Sequence, residues 1–257
     1  MTPASTGRIV TAGTDGLPPG RQSATALRLM PFGEIDRTVV VDYHLHTNYT
    51  DGSASPKAMA EAAASAGVAE MLFTGHVRHT STYWPEFRRD VLGLNVPGLN
   101  VMVGVETKVL DTDGTLDCSA DVASMCDAIV ASVHRPPQSE GVDSWSQLDV
   151  DAAVDLEFRL AMAIVTKSRA NVLAHPMGMT VSHLGLNPLE QLFELAQACK
   201  EYEKAFELNT KYCSSPDDWI EIVKRAGCQV SLGSDAHKPA DVGSAWRVFV
   251  LRDGGAA

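Results

Sequence analysis

Seven short apolar runs mark the chain from Thr38 onward: Val39–Tyr43, Met71–Thr74, Val101–Val105, Ala128–Val133, Asn171–Ala174, Ala205–Leu208 and Cys228–Leu232. Each is brief and nearly continuous, the pattern of a strand buried on both faces of a parallel sheet. Helical periodicity fills most of the gaps. Pro56–Ala66 follows Ser55, an N-cap with proline at the first helical position, and stops at Gly67. Ala152–Ala170 carries Val154, Phe158, Met162 and Val165 on one stripe, and Pro188–Tyr202 carries Leu189, Leu192, Leu195 and Ala196 likewise. Asp217–Ala226 ends at Gly227. Val109–Leu116, centred on Asp113-Gly114, predicts a hairpin after the third strand. Strands alternating with helices predict an α/β fold. Seven of them predict a closed or nearly closed (β/α) barrel, with a doubly wound open sheet as the competing arrangement. Residues 1–37 are rich in Gly, Pro, Ser and Thr without periodicity. They read as an N-terminal extension, mobile or packed on the body through Leu27–Phe32, ahead of one domain over 38–257.

Composition narrows the class without naming a function. The 257 residues, 45% hydrophobic and 21% charged, fit one ordinary globular domain with an ample core. Lysine and arginine number 21 against 32 acidic residues, a net charge of −11, and such a surface repels long nucleic acid. Cys118, Cys126, Cys199, Cys213 and Cys228 form no CxxC pair and are odd in number, so they read as thiols of a reducing compartment. No apolar run approaches the ~20 residues of a membrane span. No basic-then-apolar leader pattern opens the chain, and the expected location is the cytoplasm.

The histidines change the picture. Of eight, six lie at the carboxyl ends of the expected strands: His44, His46, His76, His134, His175 and His237. Glu106 ends the third run, Asp235 stands two residues before His237, and Asp51 lies just beyond the first strand. Barrels and open α/β sheets alike build their sites at that edge. His44 and His46, at i and i+2, project to one side of a strand, and neutral imidazole is a common metal ligand. Asp235 and His237 repeat the spacing with an oxygen and a nitrogen. Singly, each group has a plain structural explanation: His76 or His134 as a satisfied core histidine, Glu106 or Asp235 as a helix cap. Burying nine together would cost several kcal/mol unless every one were paired, and divalent cations are the economical partner.

These residues stand in Asp42-Tyr43-His44-Leu45-His46-Thr47, Asp51-Gly52, Thr74-Gly75-His76, Gly104-Val105-Glu106, Ser132-Val133-His134, Leu173-Ala174-His175-Pro176 and Gly233-Ser234-Asp235-Ala236-His237. The set resembles the PHP (polymerase and histidinol phosphatase) superfamily over roughly Val39 to Trp246. The resemblance implies a distorted seven-stranded (β/α) barrel with two to three divalent metal ions, zinc, manganese or iron. It implies a first metal on His44, His46, Glu106 and Asp235. A second, bridged by Glu106, would take His134 and His175, and a third Asp51, His76 and His237. Some members carry histidine where this chain has Asp51, which implies a harder third cation here.

Three divalent ions against Asp51, Glu106 and Asp235 would leave the pocket near +3 on an acidic molecule, drawing in a compact phosphate. The resemblance then implies hydrolysis of a phosphate ester by hydroxide shared between two metals, with Glu106, Asp235 and His237 carrying catalysis. Arg135, Lys211, Arg78 and His79 are the candidate phosphate contacts, and Tyr83, Trp84 and Phe87 form either a lid or substrate wall or packing for their loop. His183 matches no motif and reads as structural. A small phosphomonoester, with histidinol phosphate as the family's best-known substrate, is the expected partner. The competing readings are a phosphodiesterase or exonuclease on nucleotides, cyclic phosphates or short oligonucleotides, and a non-catalytic metal-binding module.

Overall fold

The structure, a computed structural model, describes residues 26–137 and 141–254. Residues 1–25 of the expected extension lie outside it. Among the described residues the strands are β1 (Met30–Pro31), β2 (Val41–Leu45), β3 (Glu70–Phe73), β4 (Asn100–Val103), β5 (Val105–Lys108), β6 (Ile129–Ser132), β7 (Val172–Leu173), β8 (Ala205–Asn209) and β9 (Gln229–Gly233). They form a six-stranded sheet in the order β1-β9-β8-β7-β6-β5 and a three-stranded sheet β2-β3-β4. All pairings are parallel except that of β1 with β9.

This is the expected α/β arrangement, with its parallel strands divided between two sheets. The third apolar run is two strands in two different sheets, split at Gly104. A Cβ there would lie 2.8 Å from the Ala128 carbonyl oxygen and 3.0 Å from both Leu72 methyls, so only glycine lets the chain cross between neighbours. The sheets meet at both flanks through single parallel bridges, Leu45 with Ala236 and His76 with Glu106. The ladder between β2 and β3 also slips between Asp42 and Leu45, where the imidazoles begin. The irregularities gather at the carboxyl edge.

Helices cover the sheets: α1 (Pro56–Ser65), α2 (Trp84–Leu92), α3 (Ala120–Met125), α4 (Val150–Lys167), α5 (Gly178–Leu184), α6 (Leu189–Glu201), α7 (Pro216–Ala226) and α8 (Arg252–Gly254). Ser55 caps α1 by accepting from the Ala58 amide, and Asp149 caps α4 through Ala152. Helix α7 ends at Gly227 with φ +65°. Helix α2 replaces the expected loop: Trp84, Phe87 and Val91 are one buried stripe, so these aromatics pack the wall and form no lid. The Val109–Leu116 hairpin is present as an antiparallel bridge. Leu27–Phe32 rests on the body, with β1 against β9 and Phe32 buried. The five cysteines are free thiols, three of them buried. Among the described residues no helix is long and apolar enough to cross a membrane.

Candidate metal centre

Strand alternation builds the centre. In β2 the odd positions Val41, Tyr43 and Leu45 join the hydrophobic core, which leaves Asp42, His44 and the following His46 to the other face. All three are fully buried. Glu106 enters from β5, His76 follows β3, His134 follows β6, His175 follows β7, and Asp235 and His237 follow β9.

Glu106 is the hub. Its Oε2 lies 3.3 Å from the Nε2 atoms of His44 and His46 and 3.0 Å from His76 Nδ1. Its Oε1 lies 3.1 Å from His134 Nε2 and 3.0 Å from His175 Nε2. Asp235 Oδ1 is 3.1 Å from His46 Nε2, and Asp51 Oδ2 is 3.1 Å from both His76 and His237. All nine expected ligands therefore converge on one edge. Their grouping is less partitioned than expected, since His46 associates with His44 and Glu106 and also with Asp51, His76 and His237. His76 likewise joins both the Asp51 group and a group with Glu106 and His134.

The electrostatics call for added positive charge. Burial opposes ionisation of Glu106, yet charge on His134, His44 and His76 holds its carboxyl well below the usual range. Burial likewise works against Asp51 and Asp235, while imidazoles hold both carboxyls down. In return, and against burial, Glu106 and Asp51 lift His76 to about 10, and Glu207, Glu106 and Asp235 raise His44. In the metal-free chain protons thus fill the role a cation would take. His44 Nε2 and His46 Nε2 face each other at 3.1 Å, with Glu106 and Asp235 oxygens beside them, so only a proton or a cation can separate these lone pairs. His46 Nδ1 and His175 Nδ1 are buried without a hydrogen-bond partner. Donors of nitrogen and oxygen alone fit zinc, manganese or iron. His175 and Asp235 also adopt positive φ, 27° and 52°, a strain of about 1–3 kcal/mol each that non-glycine residues carry mainly at functional sites.

The candidate phosphate contacts divide. Lys211 Nζ is 3.3 Å from Asp235 Oδ2 at the rim. Arg135 and Arg78 are exposed beside His134 and His76. His79 instead turns to Asp117, with Nδ1 2.9 Å from Oδ1. Residues overlooked in the sequence support the centre from behind. Asp42 accepts from the Ser234 amide and hydroxyl and from the Gly243 amide, fixing the turn that carries Asp235. Trp145 donates its indole N–H to the His134 carbonyl oxygen at 3.1 Å. Glu207 lies behind His44 and His175. Its one sequence signal is a charge inside the apolar run Ala205–Leu208.

A family model described as the PHP domain matches residues 42–214, more than half of the chain and most of the motifs above. The chain belongs to the PHP domain family. It is 29% identical over 225 residues to the DNA polymerase/3'-5' exonuclease PolX of Bacillus subtilis, covering 82% of this chain and 36% of that protein. It is 28% identical over 162 residues to a "probable phosphatase" of Caldicellulosiruptor bescii, covering 60% of this chain and 59% of that protein. The chain thus spans little over half, or less, of these two curated relatives. The PHP fold is shared with the crystal structure of histidinol phosphate phosphatase from Lactococcus lactis complexed with zinc, L-histidinol and phosphate. That likeness has a TM-score of 0.64 at 19% identity, over 84% of this chain and 94% of the other.

Proposed function

We propose that this PHP domain is a metal-dependent phosphatase that hydrolyses a small phosphomonoester, of the kind formed by a phosphorylated amino alcohol. The observation that carries the reading is the convergence of five imidazoles on the two oxygens of Glu106, at the edge where strand ends open to solvent. Two to three divalent ions held by His44, His46, Asp51, His76, Glu106, His134, His175, Asp235 and His237 would polarise the phosphate and acidify a water. The chain's own residues do the rest. Glu106, with both oxygens engaged, holds the two halves of the centre in register. Asp235 faces His46 through Oδ1 and pairs with Lys211 through Oδ2 at the rim, a placement from which it would orient the attacking water. His237 is locked by its Nδ1, 2.8 Å from the Asp235 carbonyl oxygen, which directs Nε2 to Asp51. Lys211, with Arg135 and Arg78 on adjoining rims, receives the non-bridging oxygens and balances charge as the ester bond breaks. The L-histidinol and phosphate in the Lactococcus structure support a compact substrate, as does the −11 net charge, which offers a polyanion no track.

A second reading, phosphodiester or exonuclease activity, has the Bacillus relative in its favour. Specificity constants for a panel of metabolite monoesters, cyclic nucleotides and short single-stranded oligonucleotides separate the two. The monoesters should lead by about tenfold or more, roughly 1.4 kcal/mol in the transition state. A tenfold preference for either diester class selects the second reading.

A further inference from the structure

Glu207 is a fully buried carboxylate that the expected ligand set leaves out. It stands in β8 with one oxygen on each half of the centre. Oε1 lies 2.7 Å from His44 Nδ1. Oε2 accepts from the His175 amide at 2.6 Å and from Asn209 Nδ2 at 3.1 Å. The chain reserves space for it. A Cβ at Gly233 on the neighbouring β9 would overlap Glu207 Oε1 and come within 2.8 Å of His44 Cβ.

Donor arithmetic fixes the consequence. A backbone N–H can only donate and an ionised carboxylate can only accept, so the His44 proton on this side must sit on Nδ1. Nε2 is then the ligating nitrogen, directed at His46 Nε2 and Glu106. We infer that Glu207 is a positioning residue that sets the His44 tautomer and ties His44 to the His175 turn, so that both halves of the metal centre share one anchor. The inference rests on the metal-centre reading above. It makes a sharp demand of Glu207→Gln, which keeps size and shape. The glutamine carbonyl must serve the His175 amide, because that donor cannot invert. Its NH2 then faces His44 Nδ1, the proton moves to Nε2, and His44 ceases to be a ligand.

The test titrates zinc into the full metal-free chain and its E207Q variant, and records nitrogen-15 shifts of the imidazoles in the zinc-loaded proteins. The expected wild-type signature is His44 protonated at Nδ1 and bound through Nε2. E207Q should remain folded without metal, at lower stability because His44 loses a buried charge partner, and should lose roughly tenfold to a hundredfold in affinity for the zinc that His44 holds, as loss of a ligand's supporting partner does. Its His44 should show the Nε2–H form. Zinc affinity unchanged in E207Q, or wild-type His44 bound through Nδ1, overturns the inference while the metal centre stands. If E207Q does not fold, the wild-type nitrogen shifts decide alone. A wild-type chain that takes up no zinc overturns the metal-centre reading and this inference together.

Discussion

The two faces of β2 are equally buried and chemically opposite. On one, Val41, Tyr43 and Leu45 lie in the hydrophobic core, and the only polar atom is closed off locally. The Tyr43 hydroxyl donates to Glu70 at 2.8 Å, and Glu70 pairs with Arg28 at 2.7 Å, so donors, acceptors and charges balance within the chain. On the other, His44 and His46 crowd with Glu106 and Asp235, and His46 Nδ1 finds no hydrogen-bond partner. The first face is complete as it stands. The second is balanced only by protons or by cations from solution. Between the two faces of β2, therefore, burial does not separate the structural from the functional side chains; completeness does.

Substitutions on the two faces should consequently fail in different ways. Asp235→Ala removes a carboxylate from the open face and should abolish turnover and lower metal content, while a melting curve shows a folded protein. Full activity in that variant would end the assignment of Asp235. Leu45→Ala, between the two imidazoles in sequence but on the closed face, should cost about 2–5 kcal/mol of stability through lost burial and a cavity. It should keep its metal stoichiometry below the melting transition, as denaturant titration and elemental analysis would show. Loss of metal with unchanged stability would mean that the two faces are not separable. Lys211→Ala at the rim should change neither stability nor metal content measurably, and should lower kcat/KM by roughly tenfold to a hundredfold, the worth of one charge-assisted hydrogen bond at ~1.5–3 kcal/mol. Unchanged kinetics would remove Lys211 from the phosphate site.

The open face was readable in the sequence because its ligands fall at strand ends, where a polar residue after an apolar run is conspicuous. His44, His76, His134, His175 and Asp235 are all of that kind. The partners behind them were not readable. Glu207 and Asp42 sit within strand segments, and their hydrogen bonds reach His44 and Ser234 across 163 and 192 residues. Only the folded register brings such pairs together. The division into two sheets was hidden for a local reason: a continuous run, Val101–Val105, does not announce that the chain changes sheets at Gly104. Helix α2 was hidden by Pro85, which sits in its first turn, where proline is tolerated. His79 follows His76 in sequence, yet its ring is taken by Asp117, a residue 38 positions away.

Protons and divalent cations compete for the same imidazoles of the metal centre. In the metal-free chain His76 is held up at about 10, from an ordinary 6.5, by Glu106 and Asp51 against the pull of burial. Its protonation therefore stabilises the fold fully below pH 6.5, and that contribution is lost as pH rises through about 10. A ligated cation must displace this proton, so metal affinity should climb over the same interval. Calorimetric titration of the metal-free protein with zinc, at neutral pH in buffers of different ionisation enthalpy, reads the zinc stoichiometry and the proton release at once. About two to three zinc ions should bind per chain, with net release of protons. Less than one equivalent of zinc, or binding without proton release, would rule out the metal centre.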